Sequence, residues 1–157
     1  MSRSRLLWIP LLLLGLLLAA CSNSAATPVL PANAAAQAPT PLAGRSGMIG
    51  QILNSDTNTP AKQASVYLAT VVWNPQRTEA AYYYDLARSP VAFTNDEGIF
   101  TFNDLEPNEY VMLVGDYYTI MDVIRATDGT ARVHKLEAGQ VFNAGSIPVN
   151  PAVPQTR

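Results

Sequence analysis

Phe93-Thr94-Asn95-Asp96-Glu97-Gly98-Ile99-Phe100-Thr101-Phe102-Asn103-Asp104-Leu105-Glu106-Pro107-Asn108-Glu109-Tyr110 is the stretch whose pattern decides the fold. Asn95-Asp96-Glu97-Gly98 is a turn signal between two short apolar runs and predicts a hairpin. Gly98 lets the backbone turn there. Phe100 and Phe102 share one face at the two-residue period of a strand, so both enter a core while Thr101 faces out. Glu106-Pro107-Asn108-Glu109 ends the run. Leu105, beside that corner, is expected to plug the end of the core, and Tyr110 begins the next strand.

The same punctuation extends outward. Gly47 to Leu53 reads as a first strand, closed by the polar run Asn54-Ser55-Asp56-Thr57-Asn58-Thr59-Pro60. Ala64 to Trp73 is a second, rich in Val, Tyr and Thr. Val91 to Thr94 and Ile99 to Phe102 flank the central turn, and Tyr110 to Val114 follows it. Asp122 to Ala126 and Ala131 to Leu136 flank Thr127-Asp128-Gly129-Thr130, where Asp-Gly suits the positive φ of a tight hairpin. Val141 to Val149 closes the series after Ala138-Gly139-Gln140. Seven or eight short strands in about 105 residues predict an all-β sandwich. Only Thr78 to Arg88 departs from the pattern. Thr78 as a cap, Glu79 in the first turn and Ser89-Pro90 as a stop predict a short helix between strands, although Tyr82, Tyr83 and Tyr84 suit a strand equally well.

Residues 93–110 resemble the carboxypeptidase regulatory-like domain. That family's usual pattern is Thr-Asp or Thr-Asn, a Gly shortly after, Phe-x-Phe, then Leu-x-Pro-Gly-x-Tyr. Gly47-Met48-Ile49-Gly50-Gln51-Ile52, Thr59-Pro60 and Ala64-Ser65-Val66-Tyr67-Leu68 are similar to its first two strands. Leu136-Glu137-Ala138-Gly139-Gln140-Val141 is similar to its last turn and strand. The resemblance covers nearly all of residues 44–150 and implies a Greek-key, transthyretin-like (prealbumin-like) β-sandwich. Asn108 stands where the family usually has Gly, and Asn tolerates the left-handed conformation expected at that turn.

The N-terminal residues have the three parts of a secretory signal: Arg3 and Arg5, a leucine-rich run from Leu6 to Leu18, then Ala19-Ala20. The run is shorter than the roughly 20 apolar residues of a spanning helix and contains Pro10. Cys21, the only cysteine, follows it directly. Leu18-Ala19-Ala20-Cys21 resembles the lipobox of bacterial lipoproteins. The resemblance implies a signal peptide over 1–20 and a lipidated Cys21 carrying diacylglycerol and a further acyl chain such as palmitate. It also implies attachment to the cell membrane or outer membrane, facing outside the cytoplasm. Residues 22–43, rich in Ala, Pro, Ser and Thr, read with Cys21 as a disordered tether, and residues 151–157 as a disordered tail.

Removal of residues 1–20 takes away Arg3 and Arg5, leaving 10 − 2 = 8 basic against 12 acidic side chains, a net charge of 8 − 12 = −4. That balance argues against nucleic acid as a partner. Catalytic chemistry is poorly supplied. The single histidine, His134, falls in a strand whose alternation could expose it, and no second His or Cys remains to build a metal or nucleophile site. The resemblance points the same way: transthyretin-like hydrolases and iron dioxygenases on related sandwiches need more than one histidine. An isopeptide cross-link of the kind known in some similar sandwiches needs a lysine in an opening strand, and the lysines here are Lys62 and Lys135. Asp96, Glu97, Asp104 and Glu106 cluster around turns without a calcium-loop spacing, so turn formation accounts for them. No cofactor, metal or catalytic residue is expected.

The aromatic residues are the remaining functional candidates. Trp73, Tyr82, Tyr83, Tyr84 and Arg88, on or beside the excursion between strands, form a possible ligand-binding surface, with Tyr117 and Tyr118 as further rings. The competing expectation is that most of these rings fill the core or cover strand ends. The sequence therefore points to a non-catalytic, lipid-anchored envelope module with a structural or protein-binding role. Carbohydrate binding at the cell surface is the alternative.

Overall fold

The computed structural model describes residues 29–150. The signal segment 1–20, Cys21, the first part of the expected tether at 22–28 and the tail 151–157 lie outside the described residues. Nine strands form two sheets. They are β1 (Ser46–Asn54), β2 (Ser65–Trp73), β3 (Ala80–Tyr83), β4 (Val91–Phe93), β5 (Ile99–Leu105), β6 (Glu109–Gly115), β7 (Met121–Val123), β8 (Val133–Lys135) and β9 (Val141–Val149). The smaller sheet runs β5-β1-β9, with β1 and β9 parallel. The larger runs β3-β2-β6-β7, with β4 also pairing β2 and β8 also pairing β6. The fold is an all-β sandwich, as the turn-and-strand pattern predicts. Among the described residues, no helix is long and apolar enough to cross a membrane.

The core lies between the sheets. Met48, Ile52, Phe100, Phe102 and Ile147 from the smaller sheet meet Val66, Leu68, Tyr110, Met112 and Val114 from the larger. Phe100 and Phe102 are both buried, as period two requires, and their rings meet edge-on with centroids 5.9 Å apart. Leu105 is buried in the same cluster. The Phe100 ring occupies the space above Gly50, its register partner, where a Cβ would stand 2.5 Å from the ring's Cζ.

The central turn explains why the quoted stretch is so recognisable. Asn95 Oδ1 accepts the N–H groups of Glu97 and Ile99, each at 2.9 Å. Gly98 has φ 72°, and a Cβ there would lie 2.5 Å from the Ile52 carbonyl oxygen, so both conformation and space call for glycine. Thr94, fully buried, donates its hydroxyl to the Ala61 carbonyl at 2.6 Å and accepts the Ala64 N–H at 2.8 Å. Asn95 thus closes the turn, and Thr94 fastens the hairpin to the loop before β2. At the next corner, the Tyr110 hydroxyl donates to the Glu106 carbonyl at 3.0 Å, four residues upstream.

Four expectations are corrected. Residues 80–83 are strand β3, not helix. Tyr82 and Tyr83 pair with Val71 and Thr70, so cross-strand contacts along the free edge of β2 outweigh a weak capping signal. What survives of the helical signal is one tight turn at Asp85, whose carboxylate accepts the Ala87 N–H and whose carbonyl accepts those of Arg88 and Ser89. His134 is buried, not exposed, because β8 turns its middle residue inward beside Tyr110. Asn108 does not supply the left-handed residue at its corner. The left-handed residue lies upstream, inside β5, at Asp104 with φ 54°, where β5 holds one residue more than β1 opposite it. Asn108 instead accepts the Glu109 N–H through its side chain at 2.8 Å.

The fourth correction concerns the stretch read as tether. Residues 29–43 are laid on the outer face of β5-β1-β9. Ala34 is completely buried, and with Leu30 it covers Ile49 and Ile99, whose side chains point away from the main core. Two apolar faces on one strand require cover on both sides.

Candidate functional site

The five aromatic and basic candidates do not form one site. The two-residue period of β3 places Tyr82 with Val71 on the outer face of the larger sheet and Tyr83 with Thr70 on the other. Tyr82 borders an apolar groove of about 230 Å³ lined by Val71, Ala80, Val111, Ala131 and Val133. Tyr84, just past the strand, packs inward on the outer-face cluster. Its ring meets Tyr67 edge-on at 5.3 Å and Tyr117 at 5.8 Å. Burial, with the neighbouring Tyr67 and Tyr117, raises its hydroxyl's pKa above the usual tyrosine value. That hydroxyl is enclosed without a hydrogen-bond partner among the described residues.

Trp73 ends β2 and lines a broad groove of about 1040 Å³ with Arg77, Pro107, Glu109 and Glu137. The indole is not a bare platform. Its Nε1–H donates to the Glu109 carboxylate, and the Arg77 guanidinium sits over the ring at 5.1 Å while pairing with Glu109 at 3.4 Å. This arrangement closes the end of the sheet by cation–π and charge-assisted contacts.

Tyr83 and Arg88 do come together. They line a cleft of about 350 Å³ at the edge of the sandwich with Asp85, Asn103, Glu106 and Tyr110. Tyr83 is 61% exposed and its hydroxyl donates to Asp85 at 3.2 Å. Asp85 is held by the Ala87 N–H, and Asp104 by the Leu42 N–H at 2.7 Å. The cleft therefore offers one open ring, a guanidinium and fixed carboxylates and amides. Those groups can stack on and hydrogen-bond a polyhydroxylated ligand. Asn103 and Asp104 of this cleft lie in the bulge of β5, whose signal in the sequence is an extra residue that alternation cannot place.

The predicted carboxylate cluster is dispersed. Asp96 lies 3.8 Å from Lys62, Glu97 accepts from Gln37, Glu106 pairs with Arg45 at 3.2 Å, and Asp104 binds Leu42. Among the described residues, no three His, Cys, Asp or Glu side chains are gathered as metal ligands. His134 meets Phe142 edge-on at 5.4 Å, and its Nε2 has no partner among the described residues. Burial, helped by Arg132, lowers its pKa to about 4.

No family model and no curated protein match the sequence. Solved structures with which it shares a likeness include a 9R-lipoxygenase from Cyanothece PCC8801, at TM-score 0.41 and 18% identity over 72% of this chain. A proposed carbohydrate-binding protein from Pseudomonas aeruginosa has TM-score 0.44 and 13% identity over 78% of this chain. The pilus 2b backbone protein of group B streptococcus has TM-score 0.38 and 14% identity over 66% of this chain. The chain spans 18%, 99% and 40% of those three proteins respectively.

Proposed function

We propose that this protein is a lipid-anchored, non-catalytic β-sandwich of the cell envelope with a structural or protein-binding role. The observation that carries the reading is Cys21, the only cysteine, placed directly after Leu18-Ala19-Ala20 and a leucine-rich segment. The dispersal of the titratable groups supports the non-catalytic part, since the single histidine is buried and the turn carboxylates are engaged by a backbone amide, a side-chain amide or opposite charges. Two acyl chains on the mature terminus hold such a head stably, each buried CH₂ contributing about 0.8 kcal/mol. Blocking lipoprotein signal processing with globomycin, or the Cys21→Ala change, should move the protein out of the membrane fraction. Unchanged fractionation removes the anchor.

A second reading, carbohydrate binding, draws on the Tyr83–Arg88 cleft. An open ring beside charged hydrogen-bonding groups suits a sugar's apolar face and its hydroxyls. A glycan array with the folded head tests it, with Tyr83→Ala and Arg88→Ala as the variants. Retention of glycan that both variants lose supports this reading, and absence of binding to every glycan ends it.

A further inference from the structure

The docked segment changes how far the head can move from its anchor. Val29 to Ala43 is held on the β5-β1-β9 face at four places. Ala34 and Leu30 cover Ile49 and Ile99. Gln37 bonds the central hairpin turn twice, its amide nitrogen donating to Glu97 at 3.1 Å and its oxygen accepting from Asn95 at 2.9 Å. The Leu42 N–H is bound by Asp104 at 2.7 Å, and the Val29 carbonyl lies 3.2 Å from Ser146 Oγ on β9.

We infer that residues 29–43 are a strap built into the fold, which holds the head close to the bilayer and turns the outer face of the β3-β2-β6-β7 sheet away from it. This rests on the lipid anchor proposed above. From Cys21 to Val29 there are 29 − 21 = 8 residue steps, which span at most about 28 Å fully extended and about 16 Å as a coil. An undocked tether to Gly44 would have 44 − 21 = 23 steps and reach about 80 Å, enough for any orientation. The sheets are about 10 Å apart, and side chains and strap add to each side, so the far face lies on the order of 25 Å or more from the strap. To lay that face on the bilayer, the eight-step leader would have to run round the sandwich edge at full stretch. The short leader therefore favours the strap side facing the lipid.

The far face carries Tyr82, Val91, Phe93 and Val133, which are 44%, 47%, 57% and 42% exposed. Their apolar surface is consequently presented to the aqueous envelope, not to the lipid that holds the chain.

The test uses the mature lipidated protein, beginning at Cys21, in phosphatidylethanolamine–phosphatidylglycerol vesicles with a trace of acceptor-labelled headgroup. Lipidation consumes Cys21, so Ala36→Cys on the strap or Val133→Cys on the far face provides a single site for a donor dye. Energy transfer to the acceptor should be severalfold stronger from position 36 than from position 133. Ala34→Asp, which forces a charge into the strap's buried position, should bring the two signals close together while Trp73 emission reports an intact head. Asp104→Ala, which removes the Leu42 contact, is the milder second variant. Equal transfer from both positions in the otherwise unaltered protein overturns the orientation, as does an asymmetry that neither strap variant reduces. Failure of the protein to remain on vesicles overturns the anchor and with it the orientation. Amide exchange at Leu42 then judges the strap separately, where protection upholds it and free exchange refutes it.

Discussion

The Phe100 ring rests on the bare Cα of Gly50, directly across the β1–β5 register. Phe100 is 1% exposed and has no room to retreat. Gly50→Ala should therefore overpack the core and destabilise by about 1–3 kcal/mol. Phe100→Leu in the same chain should restore part of that loss, because the smaller side chain vacates the contact. Urea denaturation followed by Trp73 emission measures both. Additive losses in the double variant would mean that the two positions do not share this space.

Thr94 joins two backbone groups of the loop before β2 through one hydroxyl. Thr94→Val keeps the shape and removes the hydroxyl, leaving the Ala64 N–H and Ala61 carbonyl buried without it. A loss of about 2 kcal/mol is expected, while Thr94→Ser should retain most of the stability. Thermal unfolding of the three proteins side by side gives the comparison.

The buried imidazole of His134 makes stability depend on acidity. Its folded pKa, about 4, lies below the ordinary value of 6.5, so as pH falls the unfolded chain takes up the proton first. Stability from this group is complete above about pH 6.5 and is lost as pH drops toward 4, by an amount on the order of 3 kcal/mol. His134→Leu should flatten that part of the profile. An unchanged slope between pH 6.5 and 4 in the variant would assign the acid sensitivity to other groups.

Tyr110 closes the corner after β5 through its hydroxyl, and Tyr110→Phe retains the ring in the core. A modest loss of about 1 kcal/mol is expected from the missing hydrogen bond to the Glu106 carbonyl. Tyr110→Ala, which also empties the core position, should cost several times more, about 3–5 kcal/mol. Equal losses would indicate that the ring's burial matters little.

Every strand except β3 was legible, because the causes of the others are local. Phe100 and Phe102 alternate with Thr101, Gly98 and Gly129 stand at left-handed turns, and Asn95 satisfies its own turn's amides. Each signal acts within a few residues, so composition and spacing carry it. The candidate surface was legible only as a set of residue types. Tyr82 and Tyr83 are neighbours in the chain, yet strand pairing with β2 sends them to opposite faces, and Arg88 lines the same cleft as Tyr83 because the chain turns at Asp85.

Long-range partners settled what remained. The residues of 29–43 have little to bury among themselves, and read alone they can only be a spacer. They become part of the fold because Ile49 and Ile99, brought onto one face as diagonal neighbours by β1–β5 pairing, create an apolar strip that Leu30 and Ala34 cover. His134 is buried for a similar reason: β8 pairs with β6 in a register that places it beside Tyr110. Local periodicity determined where most strands lie, β3 excepted, whose pairing with β2 decided it. Which face each residue meets, and whether a flanking segment is bound or loose, depended on free energy gained only when distant strands come together.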